Sequence, residues 1–174
     1  MLLTAKQLYY QEITLGIHMR KDDVGGSLSN LAFDFFYWFS RFEFALKENG
    51  YLNSYEHGAK AEPGWNEFVD RWHPRYTASA EAQLLLKHPP ESQIVIANGA
   101  LAWKPVQLAD CNSELSKVVR LTKTIRNNLF HGGKHGGAGW DNSERTEILL
   151  TNSKAVLDQL AALASIESDY TQYY

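Results

Sequence analysis

The spacing of apolar residues predicts a chain built mainly from helices. Apolar positions recur at intervals of three and four over residues 29–46, over residues 115–129 and again after Asp141, as expected when one face of a helix is buried. The first helix is expected to end at Asn49-Gly50, because both residue types accept the left-handed backbone conformation that follows many helices. Its expected buried positions are Leu31, Phe35, Trp38, Phe39, Phe42, Ala45 and Leu46.

Capping residues mark where the two later long helices begin. Asn112 or Ser113 can cap the second long helix of the chain. Asp141 and Glu144 have the spacing of a capping box at the start of the third. The glycine-rich stretch over residues 131–140 is expected to be a loop between these two helices. The third helix is expected to bury Ile148, Leu149, Val156, Leu157, Leu160 and Leu163.

Two short helices and a β-hairpin are predicted in the middle of the chain. One short helical pattern follows Pro63-Gly64, and another precedes Pro89-Pro90. The apolar period then changes to two over residues 94–103, where Asn98-Gly99 predicts the tight turn of a hairpin. A hairpin of this size cannot form a core by itself, so we expect it to be an insertion in a helical fold.

The N-terminal part of the chain adds little to this fold. Residues 5–20 are moderately helical in composition, and residues 22–30 supply breakers and capping residues before the first long helix. The sequence therefore predicts one all-α domain over residues 1–174, a helical bundle with one small inserted hairpin.

Composition narrows the class of protein. Of the 174 residues, 44% are hydrophobic and 21% are charged, as in ordinary globular domains. Cys111 is the only cysteine, which rules out an intramolecular disulfide and favours a reducing cytosol. The sequence contains neither the layout of a signal peptide nor the run of about 18 apolar residues that spans a bilayer. We therefore expect a cytoplasmic protein with no membrane partner.

Charge is concentrated in one part of the chain. The net charge of −3 argues against a general coat for nucleic acids, which usually needs a large basic excess. Residues 115–140 nevertheless carry +5 with no acidic residue, so the remainder of the chain carries −8. The basic residues of this window are Lys117, Arg120, Lys123, Arg126 and Lys134.

The stretch TIRNNLFHGGKH, residues 124–135, lies inside the basic window and suits a phosphodiester. Arg126 presents a fork of donors to phosphate oxygens, and His131 can exchange a proton near neutral pH. RNA carries its own nucleophile, the 2′-hydroxyl, so an acid, a base and a cation suffice for cleavage without a metal or other cofactor. The residues expected to contact flanking phosphates are Lys123, Lys134, His135 and Arg120.

The spacing of five between Arg126 and His131 sets a condition on this site. On a continuing helix the two side chains would point well away from each other. If the helix stops at Phe130 or His131, the glycine-rich loop can return the imidazole toward the guanidinium. A second copy related by two-fold symmetry would supply a second Arg–His pair to a shared groove, so we expect a homodimer.

Simpler interpretations compete with this one. Arg126 and Asn127 can belong to a solvated helix face, and His131 can simply favour the negative end of the helix dipole. His131 and His135 have a metal-like spacing, but the intervening glycines interrupt a helix and no metal site is expected. Arg41 and Glu43 either form a structural ion pair or approach the site from the facing helix.

Two stretches resemble the HEPN superfamily. Arg126-Asn127-x-x-x-His131 is similar to the R-x4-6-H motif of that family, and FSRFEFALKENGYL, residues 39–52, resembles an early helix of a plasmid- and defence-associated branch. The resemblance implies an all-α dimer acting as a metal-independent ribonuclease in toxin–antitoxin or phage-defence systems. It implies that Arg126 and His131 are catalytic, with Asn127 supporting them, and that an antitoxin or other regulatory protein is a partner. Some toxin members carry a modifiable Tyr two residues after the His, where this chain has Gly133.

A second class of function remains open at this point. A basic helix face also suits a non-catalytic module that binds a nucleotide, RNA or an acidic partner protein. The −8 balance outside the basic window fits an interaction with other proteins equally well. Side chains of Arg126 and His131 that face a solvent-filled groove would favour catalysis, whereas a buried imidazole would favour binding.

Overall fold

The computed structural model describes residues 26–131 and 143–172, which form helices in the predicted order and one two-stranded sheet. The predictions for residues 5–20, for the glycine-rich loop after His131 and for the Asp141 cap lie outside the described residues. The elements are α1 (Gly26–Glu48), α2 (Trp65–Trp72), α3 (Ala80–Lys87), β1 (Glu91–Val95), β2 (Leu101–Pro105), α4 (Glu114–His131), α5 (Ser143–Ala164) and α6 (Glu167–Thr171).

Helix α1 begins earlier than its sequence predicts. Residues 26–30 were expected to contain breakers and caps, yet they form the first turn of the helix. Leu28 is buried in the core, and this burial favours the helical conformation despite the glycine and serines around it. The predicted end is confirmed, since Gly50 has a φ of +78° directly after the helix.

Helices α1 and α4 pack antiparallel through aromatic and cationic side chains. The Phe36 ring lies 4.8 Å from that of Phe130, and one turn further along α1 the Phe39 ring lies 5.6 Å from the Arg126 guanidinium. Residue numbers therefore increase along α1 in the direction in which they decrease along α4. The first turn of α1 and the last turn of α4 consequently lie at the same end of the bundle.

Aromatic rings fill the centre of the core. Phe42 is fully buried and contacts Trp65 and Phe68 of α2 and Tyr170 of α6, with ring centroids 5.1–6.0 Å apart. These spacings suit stacked and edge-to-face ring pairs. One side chain of α1 thus joins three helices.

The hairpin is confirmed and is longer than predicted. Its strands pair antiparallel from Glu91 with Pro105 to Val95 with Leu101, so the sheet extends beyond residues 94–103. Asn98 and Gly99 both have positive φ, 61° and 74°, as the predicted tight turn requires. The Asn128 side chain donates a hydrogen bond of 2.6 Å to the carbonyl of Glu91, which fastens the hairpin to α4.

The terminal helix α6 was not predicted. Its Tyr170 is buried between Trp38 and Phe42 of α1, and the hydroxyl donates a hydrogen bond of 2.8 Å to Asp158 of α5. Five residues are too few to give a recognisable helical period. Packing against α1 and α5 therefore accounts for the formation of α6.

One predicted core position of α5 is wrong. Ile148 is 49% exposed, whereas Leu150, which was not expected in the core, is buried. Ile148 instead lines a groove between α3 and α5 together with Leu84 and Leu149. Within the described ranges, no helix combines the length and apolar character needed to cross a membrane.

The aromatic core predicts a large difference between two phenylalanines of α1. Phe42→Ala should lower the free energy of unfolding by about 3–5 kcal/mol, because it removes a fully buried ring and leaves a cavity. Phe33→Ala makes the same chemical change at a side chain that is 68% exposed and should shift it by at most about 0.5 kcal/mol. Urea denaturation measures both, and equal losses would contradict the packing described here.

Candidate functional site

Helix α4 carries most of the candidate residues, and reciprocal hydrogen bonds between two serines stabilise its first turn. Ser113 and Ser116 exchange hydrogen bonds of 3.1 Å between backbone N–H groups and side-chain hydroxyls, which confirms Ser113 as the cap. Leu115, Val118 and Leu121 are fully buried. The helix is thereby fixed in rotation, with Lys123 against a ring of α2 and Arg126 against a ring of α1.

Arg126 lies on two aromatic rings. Its guanidinium carbon is 4.8 Å from the ring centroid of Phe130 and 5.6 Å from that of Phe39, distances typical of cation–ring attraction. Nη1 donates a hydrogen bond of 3.1 Å to Oδ1 of Asn127, and the buried Nε has no hydrogen-bond partner among the described residues. No carboxylate of the described chain pairs with this guanidinium.

Lys123 is half-buried next to this guanidinium. Its Nζ lies 5.8 Å from the ring centroid of Trp65 and makes no hydrogen bond or ion pair with the described residues. Burial lowers the pKa of Lys123, the negative charge of Glu43 opposes this by raising it, and the positive charge of Arg126 lowers it further. Two cations therefore lie close together, with one carboxylate acting on Lys123 from a distance.

Glu43 and Trp65 hold this arrangement from the facing helices. The indole Nε1 of Trp65 donates a hydrogen bond of 3.0 Å to Oε1 of Glu43. Trp65 opens α2 directly after Gly64, where a Cβ atom would lie 2.6 Å from the backbone nitrogen of Leu52. Glycine at position 64 thus lets the two chain segments approach and places the indole under Lys123.

Arg41 and Glu43 have different hydrogen-bond partners. Arg41 Nε donates a hydrogen bond of 3.2 Å to the carbonyl of Tyr170, and Nη2 donates to the carbonyl of Asp169. Arg41 therefore holds α6 in place. Glu43 approaches the candidate site, as one of the two interpretations of the sequence expected.

Arg120 has a carboxylate partner of its own. It donates two hydrogen bonds to Asp110, one of them 3.0 Å long, and a third of 2.9 Å to the carbonyl of Gln107. The guanidinium lowers the pKa of the Asp110 carboxyl through its hydrogen bond. This pairing leaves Arg120 with less unsatisfied charge than Lys123 or Arg126.

A groove of about 700 Å³ runs between α2 and α4. It brings together Arg120, Lys123 and Asn127 of the sequence-predicted residues. Arg126 is not among the residues that line it, but its hydrogen bond to Asn127 joins it to the edge of the groove. Most of the lining side chains carry hydrogen-bonding groups.

The remaining candidates lie at or beyond the end of α4. Helix α4 continues through His131, so the backbone positions of Arg126 and His131 lie about 140° apart around the axis. Lys134 and His135 are outside the described residues. Among residues 26–131 and 143–172, no three His, Cys, Asp or Glu side chains are placed to share a metal ion.

Sequence reasoning missed several residues that shape this site. Phe130 lies four residues after Arg126, and this helical spacing was a usable signal that the two side chains meet. Trp65 and Asp110 gave no such signal. Their contacts with Lys123 and Arg120 depend on how α2 and the loop before α4 fold against the helix.

Comparison with protein-family models, curated proteins and solved structures found no match to this chain. Functional assignment therefore depends on the chemistry of the site.

The electrostatic balance around Lys123 predicts the effect of one substitution on α1. Glu43→Gln keeps a side-chain oxygen for Trp65 but removes the negative charge, so the pKa of Lys123 should fall further. NMR titration of the Lys123 side chain measures this. Glu48→Gln removes an exposed carboxylate from the same helix and should leave that pKa unchanged. An unchanged pKa in both variants would show that Glu43 does not act on Lys123.

Proposed function

We propose that this protein binds RNA phosphates at Lys123 and Arg126 and cleaves RNA as a metal-independent endoribonuclease of the HEPN type. The observation that carries this proposal is the pair of half-buried cations with no carboxylate in hydrogen-bonding contact among the described residues. Removing a cation from water is unfavourable unless another group compensates it. The aromatic rings compensate in part, and a bound phosphate would supply the remaining negative charge.

Arginine suits this role better than lysine because its planar fork matches two phosphate oxygens. Nε of Arg126 is buried without a hydrogen-bond partner among the described residues, while Nη1 is held by Asn127. Asn127 therefore acts as a positioning residue for the guanidinium. Lys123 adds a second, compact positive charge on the groove side.

The proposed reaction uses the 2′-hydroxyl of RNA. A base removes its proton, the 2′-oxygen attacks phosphorus, and the bond from phosphorus to the 5′-oxygen breaks as an acid protonates that oxygen. The product ends are a 2′,3′-cyclic phosphate and a free 5′-hydroxyl. Arg126 stabilises the charge on the crowded phosphate, and His131 is the proposed acid or base.

Two copies of the chain are proposed to complete the site. One His131 per chain supplies one proton-transfer group, whereas the reaction uses both an acid and a base. A two-fold dimer would provide the second histidine. A toxin or phage-defence role, with an antitoxin or other regulatory protein as partner, belongs to the same proposal.

A non-catalytic module that binds RNA, nucleotide or an acidic protein is the second candidate. The course of α4 favours it, because the helix continues through His131 and separates the two motif positions around its axis. In that case Lys123 and Arg126 bind phosphate without a nearby group to transfer protons.

RNA cleavage in the presence of EDTA tests the catalytic proposal. Arg126→Ala should reduce the cleavage rate about 100-fold or more, because a positioned charge donor typically contributes about 2.7–4 kcal/mol to lowering the barrier. His131→Ala should also abolish most activity. Arg75→Ala, an exposed arginine outside the site, is the matched control and should retain it. Near-normal cleavage by Arg126→Ala would rule out its assigned role.

The two candidates differ in what the wild-type protein does to RNA that it has bound. A ribonuclease leaves cyclic phosphate ends, whereas a binding module leaves the RNA intact and still loses affinity in the Arg126→Ala variant. Gel analysis of products and fluorescence anisotropy on the same RNA distinguish them.

The dimer proposal predicts that specific activity depends on protein concentration. Activity should fall on dilution in parallel with dissociation of the dimer followed by analytical ultracentrifugation. A monomer with full activity would contradict a site that two copies of the chain share.

A further inference from the structure

The groove between α2 and α4 has a second set of polar residues opposite Lys123 and Asn127. Asn66 and Asp70 are carried by α2, and His73 follows directly after that helix. None of these three residues is used in the phosphate chemistry proposed above. Because they line the same groove, a ligand that is held at Lys123 and fills the groove would also contact them.

The size and lining of the groove suit one planar polar group. Its volume of about 700 Å³ lies in the range of small-molecule sites, which run from about 300 to 1,000 Å³. Val69 and Val119 contribute apolar surface to the lining, whereas Asn66, Asp70 and His73 contribute hydrogen-bonding side chains. Apolar surface suits the face of a nucleobase, and polar groups suit its edge.

Two carboxylates line the groove, and they differ in what already binds them. Asp110 accepts hydrogen bonds from Arg120. Asp70 is exposed and makes no hydrogen bond or ion pair with the described residues. An ionised carboxylate accepts hydrogen bonds through both oxygens and donates none. Asp70 is therefore the group in the groove best placed to accept two donors from a ligand.

We propose that this groove is a base-recognition subsite that takes the guanine next to the phosphate held by Lys123 and Arg126. The inference rests on the phosphate-binding part of the proposed function. Guanine is the only RNA base with two adjacent donors, N1–H and the N2 amino group, on its pairing edge. A carboxylate accepts both in parallel. In adenine, cytosine and uracil the donor on the pairing edge lies next to an acceptor, which a carboxylate repels.

The subsite is tested with nucleotides that cannot be cleaved. The isotope-labelled protein is titrated with guanosine 3′-monophosphate, adenosine 3′-monophosphate and inorganic phosphate, and binding is followed by NMR. The guanosine compound should bind roughly tenfold more tightly than the adenosine compound, in line with a bidentate base contact. The largest shifts should include the backbone amides of Asn66, Asp70 and Lys123.

Substitution of the carboxylate gives the matched comparison. Asp70→Asn replaces one acceptor oxygen with a donor at nearly constant size, so the preference for guanosine should fall to within about twofold. Its affinity for inorganic phosphate should not fall. Glu48→Gln, which removes an exposed carboxylate outside the groove, should retain the full preference.

The results separate this inference from the ribonuclease proposal. Equal binding of the two nucleotides by the wild-type protein, or a guanosine preference that survives Asp70→Asn, would overturn the subsite. A guanosine preference lost in Asp70→Asn supports the subsite even if the protein leaves RNA uncut, an outcome that contradicts only the catalytic proposal. Cleavage with no dependence on the neighbouring base would contradict only the subsite.

Discussion

The stacked pair of Phe42 and Trp65 links the core of this protein to its candidate site. The two ring centroids are 5.1 Å apart with an interplanar angle of 27°, and both side chains are buried. Phe42 also contacts Tyr170, which holds α6 against α1. Trp65 contacts Lys123 and donates to Glu43. Because a close-packed interior transmits displacements, a shift of this pair would move the ring on which Lys123 lies.

The cations of α4 illustrate two ways of accommodating positive charge. Arg120 has Asp110 as a partner, so its charge is satisfied within the chain. Lys123 and Arg126 lie on aromatic rings, and burial lowers the pKa of Lys123. Rings attract a cation without neutralising it. Among the described residues, Lys123 and Arg126 thus have no carboxylate partner, which is the physical basis for assigning an anionic ligand to them.

Local sequence signals predicted most of the fold and fewer of the site contacts. The long helices, both short helices and the turn at Asn98-Gly99 have signals within a few residues, and all are present. Helix α6 is too short for a periodic signal and depends on burial of Tyr170. The basic cluster was visible in the sequence because residues 115–140 contain no acidic residue. The pairing of Arg120 with Asp110 depends on the loop before α4, so charge counting alone did not predict it.

The salt dependence of RNA binding tests most directly whether Lys123 and Arg126 hold phosphate. Affinity for a single-stranded RNA with its 2′-hydroxyls replaced by hydrogen is measured over a range of salt concentrations, which separates binding from cleavage. Arg126→Gln and Lys123→Gln should each reduce the slope of log K against log salt by about 0.7, the value for one lost phosphate contact. Arg120→Gln should change it less. Slopes unchanged by Arg126→Gln and Lys123→Gln would contradict the assignment of phosphate to these cations.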